Sequence, residues 1–243
     1  MTHYPFPDSL GTKIAFAAFF TAMLFLARDS MFTTAVIGFE KAQFLMLGVI
    51  CLLGVAFLIV NRRNLLQILK DRRMIVAGIA AAVLLLPMLV KRDWQLMYFS
   101  VLLCLLTAVF LSYFLTLRDA AKYYVVILSV LGAYSVLAAY ILRIGVDKGA
   151  YAVPVFQNSM GFEFHNFFLS IVPDTYVKNR NFGIFREPGV YQFFLITALY
   201  LNNYEVEWKR PWQLWLVNGI LAATMVSTFA TGGVAEMGLL AVV

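Results

Sequence analysis

The sequence predicts an all-α membrane protein: a polytopic transmembrane helical bundle of about seven spans, the start of an eighth, and one long extracytoplasmic loop. Three observations predict it. Of the 243 residues, 62% are hydrophobic and 13% charged, with mean hydropathy +0.82, whereas a soluble domain is about half apolar and about one quarter charged. Uncharged runs approaching the ~20 residues needed to cross a ~30 Å hydrocarbon core recur along the chain. Between them the charges gather in short basic segments. Together these exclude a water-soluble enzyme, a disordered tail, a coiled coil and a disulfide-stapled secreted domain.

The uncharged runs are residues 14–27, 42–60, 74–90, 96–117, 123–142, 188–204 and 212–235. All are expected to be helical, because open strands leave their backbone unsatisfied in lipid. The first run is short, and Leu10, Gly11 and Thr12 extend it if Lys13 snorkels. It is not a signal peptide, since Arg28 and Asp29 follow directly and no small-residue cleavage pattern does. Residues 237–243 begin another apolar run and stop. The expected organisation is one transmembrane domain over 1–243, truncated at its C-terminus, with residues 143–187 as its outer loop.

Orientation follows from the loop charges. Arg62, Arg63, Lys70, Arg72 and Arg73 share one short segment. Placing it in the cytoplasm puts Lys13, Arg118, Lys122, Lys209 and Arg210 there too, ten cations inside. Arg28, Lys41, Lys91 and Arg92, four cations, fall outside. The N-terminus is therefore expected inside. The net charge of +6 is then a topology signal rather than a sign of nucleic-acid binding. Cys51 and Cys104 sit in apolar runs without ligand-type neighbours, so neither a disulfide nor a metal site is expected.

The outer loop holds Phe156, Phe162, Phe164, Phe167 and Phe168, whose spacing suits a short interfacial helix. The alternative is a packing cap over the bundle. The loop ends in Arg180-Asn181-Phe182-Gly183-Ile184-Phe185-Arg186-Glu187-Pro188-Gly189. Pro188 fits the first turn of a helix, where its missing N–H costs nothing, and Glu187 suits the positive end of that helix. Arg186 is mildly unfavourable there, which calls for a nearby anion. Gly183 offers a tight turn that would fold Arg180 back toward Arg186. Two guanidiniums over a helix N-terminus make a pyrophosphate cradle. The other reading gives these arginines to lipid headgroups, or to Asp174 and Glu163.

A second feature is Ser227-Thr228-Phe229-Ala230-Thr231-Gly232-Gly233, followed by Glu236. Its hydroxyls and glycines suit a close helix approach or the polar wall of a cavity. Glu236 is either a functional acid in an apolar run or a junction residue facing water. His165, the one histidine besides His3, is either a general base or an ordinary polar loop residue. Asp93 and Trp94 open a span, Trp94 as an interface anchor. The chain has no phosphate-loop, HExxH or GxSxG motif and no internal repeat.

The stretch from Arg180 through Gly189, continued by Val190-Tyr191-Gln192-Phe193-Phe194-Leu195, resembles the R-x-x-G-[IF]-F-x-E-P-G-x-[FY]-Q-x-F-[LF] segment of Wzy-type oligosaccharide repeat-unit polymerases. These belong with the O-antigen ligases in one membrane superfamily. The turn at 227–233 is similar to the T-x-S-T-x-G that ends the following span in that family. The resemblance implies an inverting, metal-independent glycosyltransferase without cofactors, acting outside the bacterial cytoplasmic membrane in surface polysaccharide synthesis. Its donor would be a polyprenyl-pyrophosphate-linked glycan, and a chain-length regulator and a flippase would be partners beside the bilayer itself. Carried over, Arg180 and Arg186 would hold the pyrophosphate and stabilise charge on the leaving group. Glu187 would orient Arg186 or take the acceptor's proton. Gly183, Gly189, Thr228, Thr231 and His165 complete the candidate substrate-binding set. Arg186 stands where that family often carries an aromatic residue or histidine.

Three other functions remain open at this stage. An O-antigen ligase shares the motif and differs in acceptor. A lipid-linked oligosaccharide flippase or other transporter calls for broken helices and mid-membrane charges, and here Pro87 alone lies well within a run, with no charge at any run's centre. A structural membrane subunit is the third, since a fold dictates no chemistry.

Overall fold

A computed structural model describes residues 10–27, 30–61, 70–92, 96–157, 161–174 and 180–229. Of the residues singled out above, His3, Arg28, Asp29, Arg62, Arg63, Asp93, Trp94, Ala230, Thr231, Gly232, Gly233, Glu236 and the run 237–243 lie outside them. In chain order the helices are α1 (Leu10–Phe25), α2 (Phe39–Asn61), α3 (Arg72–Lys91), α4 (Leu96–Phe114), α5 (Leu117–Leu137), α6 (Arg143–Asp147), α7 (Pro188–Tyr204) and α8 (Pro211–Ser227). Wide π-type turns occupy Phe32–Ile37 and Ala138–Leu142. The strands β1 (Val155–Gln157), β2 (Glu163–Asn166) and β3 (Ile171–Pro173) form one antiparallel sheet in that order.

The chain divides into two compact units. One comprises Met1–Lys13 and Glu40–Thr116, the other Ile14–Phe39 and Leu117–Val243. In the first, α3 starts at Asp71, whose carboxylate accepts the Arg73 backbone N–H at 2.8 Å. The Arg73 side chain closes on the same carboxylate, Nη2 to Oδ2 at 3.0 Å. Its Nη1 donates to the Ser112 carbonyl of α4 at 2.7 Å, and its guanidinium lies 4.0 Å from the centre of the Tyr113 ring. One arginine thus ties the start of α3 to the end of α4.

The second unit holds the main apolar core. Leu24 of α1, Val125 and Leu128 of α5, Leu195 and Ala198 of α7, and Leu221 and Met225 of α8 pack with Ile184 and Phe185 from the segment before α7. Burial of such side chains is worth about 1.5–3 kcal/mol each. α5 and α8 approach closely at Gly132, where a Cβ would stand 2.7 Å from Thr224 Oγ1. The α7–α8 connection is short and knitted by amides. Asn202, fully buried, donates to Asn218 Oδ1 at 2.8 Å and accepts from the Trp208 indole at 2.8 Å.

The expected seven-span bundle is not what the structure contains. Among the described residues, two helices are long and apolar enough to cross a membrane: Arg72–Val90, and Leu117–Asp147, in which α5, the π turn and α6 run on as one helix of 31 residues. An uncharged stretch is not yet a continuous helix of spanning length. α1 has 16 residues and α7 and α8 have 17 each, at or under the short end of the roughly 17–25 that a crossing takes.

The all-α expectation fails as well, in the segment 143–187. Its aromatic residues do not form an interfacial helix. Phe162 and Phe164 stand two apart, the period of a strand, and β2 pairs Phe164 with Phe156 of β1 and with Pro173 of β3. The Phe156 and Phe164 rings stack at 5.8 Å across the pair. Phe164 buries with Met31, Ile171 and Phe182, while Phe167 buries with Val172 and Ala138. The start of the segment is still helix, since α6 covers Arg143–Asp147.

Candidate functional site

The ten residues from Arg180 to Gly189 form an anchored loop that opens α7. Asn181 anchors it. Its Nδ2 donates to Ser135 Oγ of α5 at 2.8 Å and to Ser227 Oγ of α8 at 2.9 Å. Its backbone N–H donates to the Ser227 carbonyl at 3.0 Å, and its Oδ1 accepts the Gly183 N–H at 2.9 Å. Ser135 spends its own proton on the Gly132 carbonyl at 2.8 Å. The Tyr191 hydroxyl, 3.1 Å away, is therefore the donor in the Tyr191–Ser135 bond. Every hydroxyl in this knot is buried, so each bond replaces a hydration that is no longer there.

The loop then turns through Gly183, whose φ of 55° lies in the left-handed region. Glycine is needed twice over, because a Cβ would stand 2.6 Å from the Tyr191 ring. The Gly183 carbonyl accepts from Ile171 of β3 at 2.6 Å, and the Ile184 carbonyl accepts from Met31 at 2.8 Å. Phe185 is fully buried and stacks on Phe194 at 4.4 Å. The apolar residues of the motif are its foundations.

What the foundations leave outside is the polar set. Arg180, Arg186, Glu187 and Gly189 are all exposed. Arg186 Nε lies 4.0 Å from Glu187 Oε1, with side chains 50% and 64% exposed. An ion pair that loose and that wet contributes little to stability. The first turn of α7 is as expected: Pro188 sits at its start and Glu187 is the N-cap in extended conformation. The Glu187 side chain makes no capping bond. The free backbone N–H groups that a helix start carries therefore have no side-chain acceptor from it.

The other candidates fall into different places. Thr228 is fully buried at the end of α8, its hydroxyl donating to the Met225 carbonyl at 2.8 Å. Its hydroxyl is therefore not presented to solvent. Thr231 lies outside the described residues. His165 belongs to β2, opposite Val155 and Val172. Its Nε2 meets Asp174 Oδ1 at 3.3 Å with the histidine side chain 13% exposed, and its Nδ1 is buried without a hydrogen bond. Asp174 also presents its carbonyl to Arg143 Nη2 at 3.1 Å. His165 is thus an inward member of a His–Asp–Arg cluster under the sheet rather than an open base. Asp174 is engaged there and Glu163 accepts from Gln157 at 3.0 Å, so neither carboxylate neutralises the loop arginines.

The structure joins the two motifs that stand 46 positions apart in the chain, through the single side chain of Asn181. Asn181, Ser135, Ser227 and Tyr191 are the residues that reasoning from sequence did not place in the site. Asn181 directly after Arg180, Ser227 at the head of the Ser/Thr-Gly turn and Tyr191 within the family-like stretch each stood in a quoted motif, while nothing local marked Ser135. Among the described residues no cluster of histidine, cysteine, aspartate and glutamate could hold a metal ion. No protein-family model matches the chain, and neither a curated protein nor a solved structure does.

Proposed function

We propose that the loop Arg180–Gly189 is the donor-phosphate site of a glycosyltransferase that polymerises polyprenyl-pyrophosphate-linked oligosaccharide repeat units, in surface polysaccharide synthesis outside the bacterial cytoplasmic membrane, with the N-terminus of the chain in the cytoplasm. The observation that carries the reading is the anchoring itself: a buried knot holds the loop while Arg180 and Arg186 are exposed beside the first turn of α7, which Glu187 does not cap. Two guanidiniums beside free backbone N–H groups match a pyrophosphate in charge and in donor geometry. The resemblance of this stretch to repeat-unit polymerases supplies the choice of donor.

In this reading an acceptor hydroxyl attacks the anomeric carbon from the face opposite the pyrophosphate. The carbon–oxygen bond to phosphate breaks, and its electron pair leaves with the lipid pyrophosphate, inverting the centre. Arg180 and Arg186 stabilise the charge that gathers on the leaving group. Glu187, exposed beside them, takes the proton of the acceptor hydroxyl or holds Arg186 in position. Because pyrophosphate departs readily, orientation and charge stabilisation supply much of the rate.

The test is complementation of a strain lacking its own repeat-unit polymerase, with membrane expression checked for every variant. Wild type restores a polymer ladder, and Arg180→Ala leaves single repeats only. Ladders from Arg180→Ala, Arg186→Ala and Glu187→Ala alike would return these side chains to headgroup contact. A wild-type chain that restores none in its native background sinks the polymerase reading.

A further inference from the structure

A groove of about 690 Å³ runs between α3 and α4 in the first unit, within the ~300–1,000 Å³ range of small-molecule sites. Its walls are apolar, made by Val76 and Ala77 of α3 and Leu105, Ala108 and Val109 of α4. Its mouth is polar, made by Asp71, Arg72, Arg73 and Ser112. The two ends therefore ask for different halves of one ligand.

The charges at the mouth are not equivalent. Arg73 is committed to Asp71, to the Ser112 carbonyl and to the Tyr113 ring. Ser112 spends its own hydroxyl on the Val109 carbonyl at 2.7 Å. Asp71 is thereby neutralised within the unit. Arg72 and Lys70 are exposed, and neither has an ion pair among the described residues. Arg72, uncompensated, thus stands at the mouth of an apolar trough, with Lys70 two positions before it in the chain, at the end of a helix long and apolar enough to cross a membrane. A basic helix end of this kind sits at headgroup level and attracts anionic lipid.

We infer that this groove binds an anionic glycerophospholipid, its phosphate on Arg72 and the upper part of one acyl chain along Val76, Ala77, Leu105, Ala108 and Val109. The lining spans under two turns of α3, roughly 10 Å at about 1.5 Å per residue. That length takes the first several methylenes and leaves the rest of the chain in the bilayer. Arg72 sets the preference for an anion and the walls set the requirement for a chain. The site shares no residue with the Arg180–Gly189 loop, so it stands whether or not that loop handles pyrophosphate.

Native mass spectrometry of the full chain, released from detergent with equal amounts of phosphatidylglycerol and phosphatidylcholine of the same chains, tests it. Wild type is expected to retain phosphatidylglycerol over phosphatidylcholine by about fivefold or more, the contribution of one well-placed cation near a membrane surface. Arg72→Gln brings that ratio close to one. Ala108→Phe, at an exposed position where a ring fills the groove without touching the core, lowers retention of both lipids. Excess glycerol 3-phosphate leaves the phosphatidylglycerol adduct in place. Equal retention of both lipids by wild type, or an unchanged ratio in Arg72→Gln, overturns the assignment. Displacement by glycerol 3-phosphate overturns it too, because the mouth would then act without the groove.

Discussion

Asn181 makes three side-chain hydrogen bonds, to Ser135, Ser227 and the Gly183 N–H, and is 1% exposed. Asn181→Ala removes all three bonds and leaves the buried Gly183 N–H without its acceptor, a loss of about 2–3 kcal/mol. Chemical denaturation in detergent measures it, and the same variant should fail to restore polymer because the loop arginines lose their support. Gly183→Ala should lower thermal stability by about 1–2 kcal/mol from its left-handed backbone alone, and further through the Tyr191 ring. Gly189→Ala is the control: nothing stands within 4 Å of its Cβ position, so its melting temperature should not fall.

Asp71 gives a pH prediction at the same scale. The Arg73 side chain, then the Arg73 N–H, hold its carboxyl below the usual carboxylate range. A carboxyl with a lowered folded-state pKa stabilises the fold above its ordinary value near 3.8, and that stabilisation is lost as pH falls through the lowered value. Acid titration of the wild-type chain should therefore show an acid-side loss of stability that Asp71→Asn lacks. An identical acid limb in both chains would remove Asp71 from the account.

At the scale of elements, α7 was legible and the sheet was not. Proline at the first helical position and a charged residue before it mark a helix start locally, and the structure has both in place. The strands were hidden because five phenylalanines in 13 positions satisfy helical and alternating spacings at once, and the choice falls to the partner. Here the partners are β1 and β3, which give Phe164 a neighbour on either side. The hydroxyl knot was equally hidden. Ser135 and Asn181 are 46 residues apart, and no local pattern marks a serine in α5 as the acceptor for an asparagine beyond the sheet. The α5–α8 crossing carries a prediction of its own. Gly132→Val forces a branched side chain against Thr224, where even a Cβ is too close, so it should destabilise by about 1–3 kcal/mol while Gly219→Ala, with open space around it, should not.

For the whole molecule, the 31-residue helix Leu117–Asp147 is long enough, at roughly 46 Å, to carry its ends to opposite faces of a bilayer. Arg118 at its start pairs with Glu207 of the α7–α8 connection, and Lys148 just past its end is exposed. In a cysteine-free background, Lys148→Cys should react with an impermeant maleimide added outside intact cells, and Glu207→Cys only after permeabilisation. Labelling of both from one side would show that this helix does not cross.

Composition and the basic segments by themselves determined that helices apolar enough for lipid would be present, because transfer of a side chain into hydrocarbon is a property of that side chain. Proline and glycine likewise marked where α7 begins and where the loop before it turns. Only the tertiary structure decided how many helices reach spanning length, that the aromatic segment is a sheet, and that Asn181 binds two distant motifs into one support. Those outcomes depend on hydrogen-bond and packing partners far off in the chain, and a buried polar group is stable only where such a partner is brought to it.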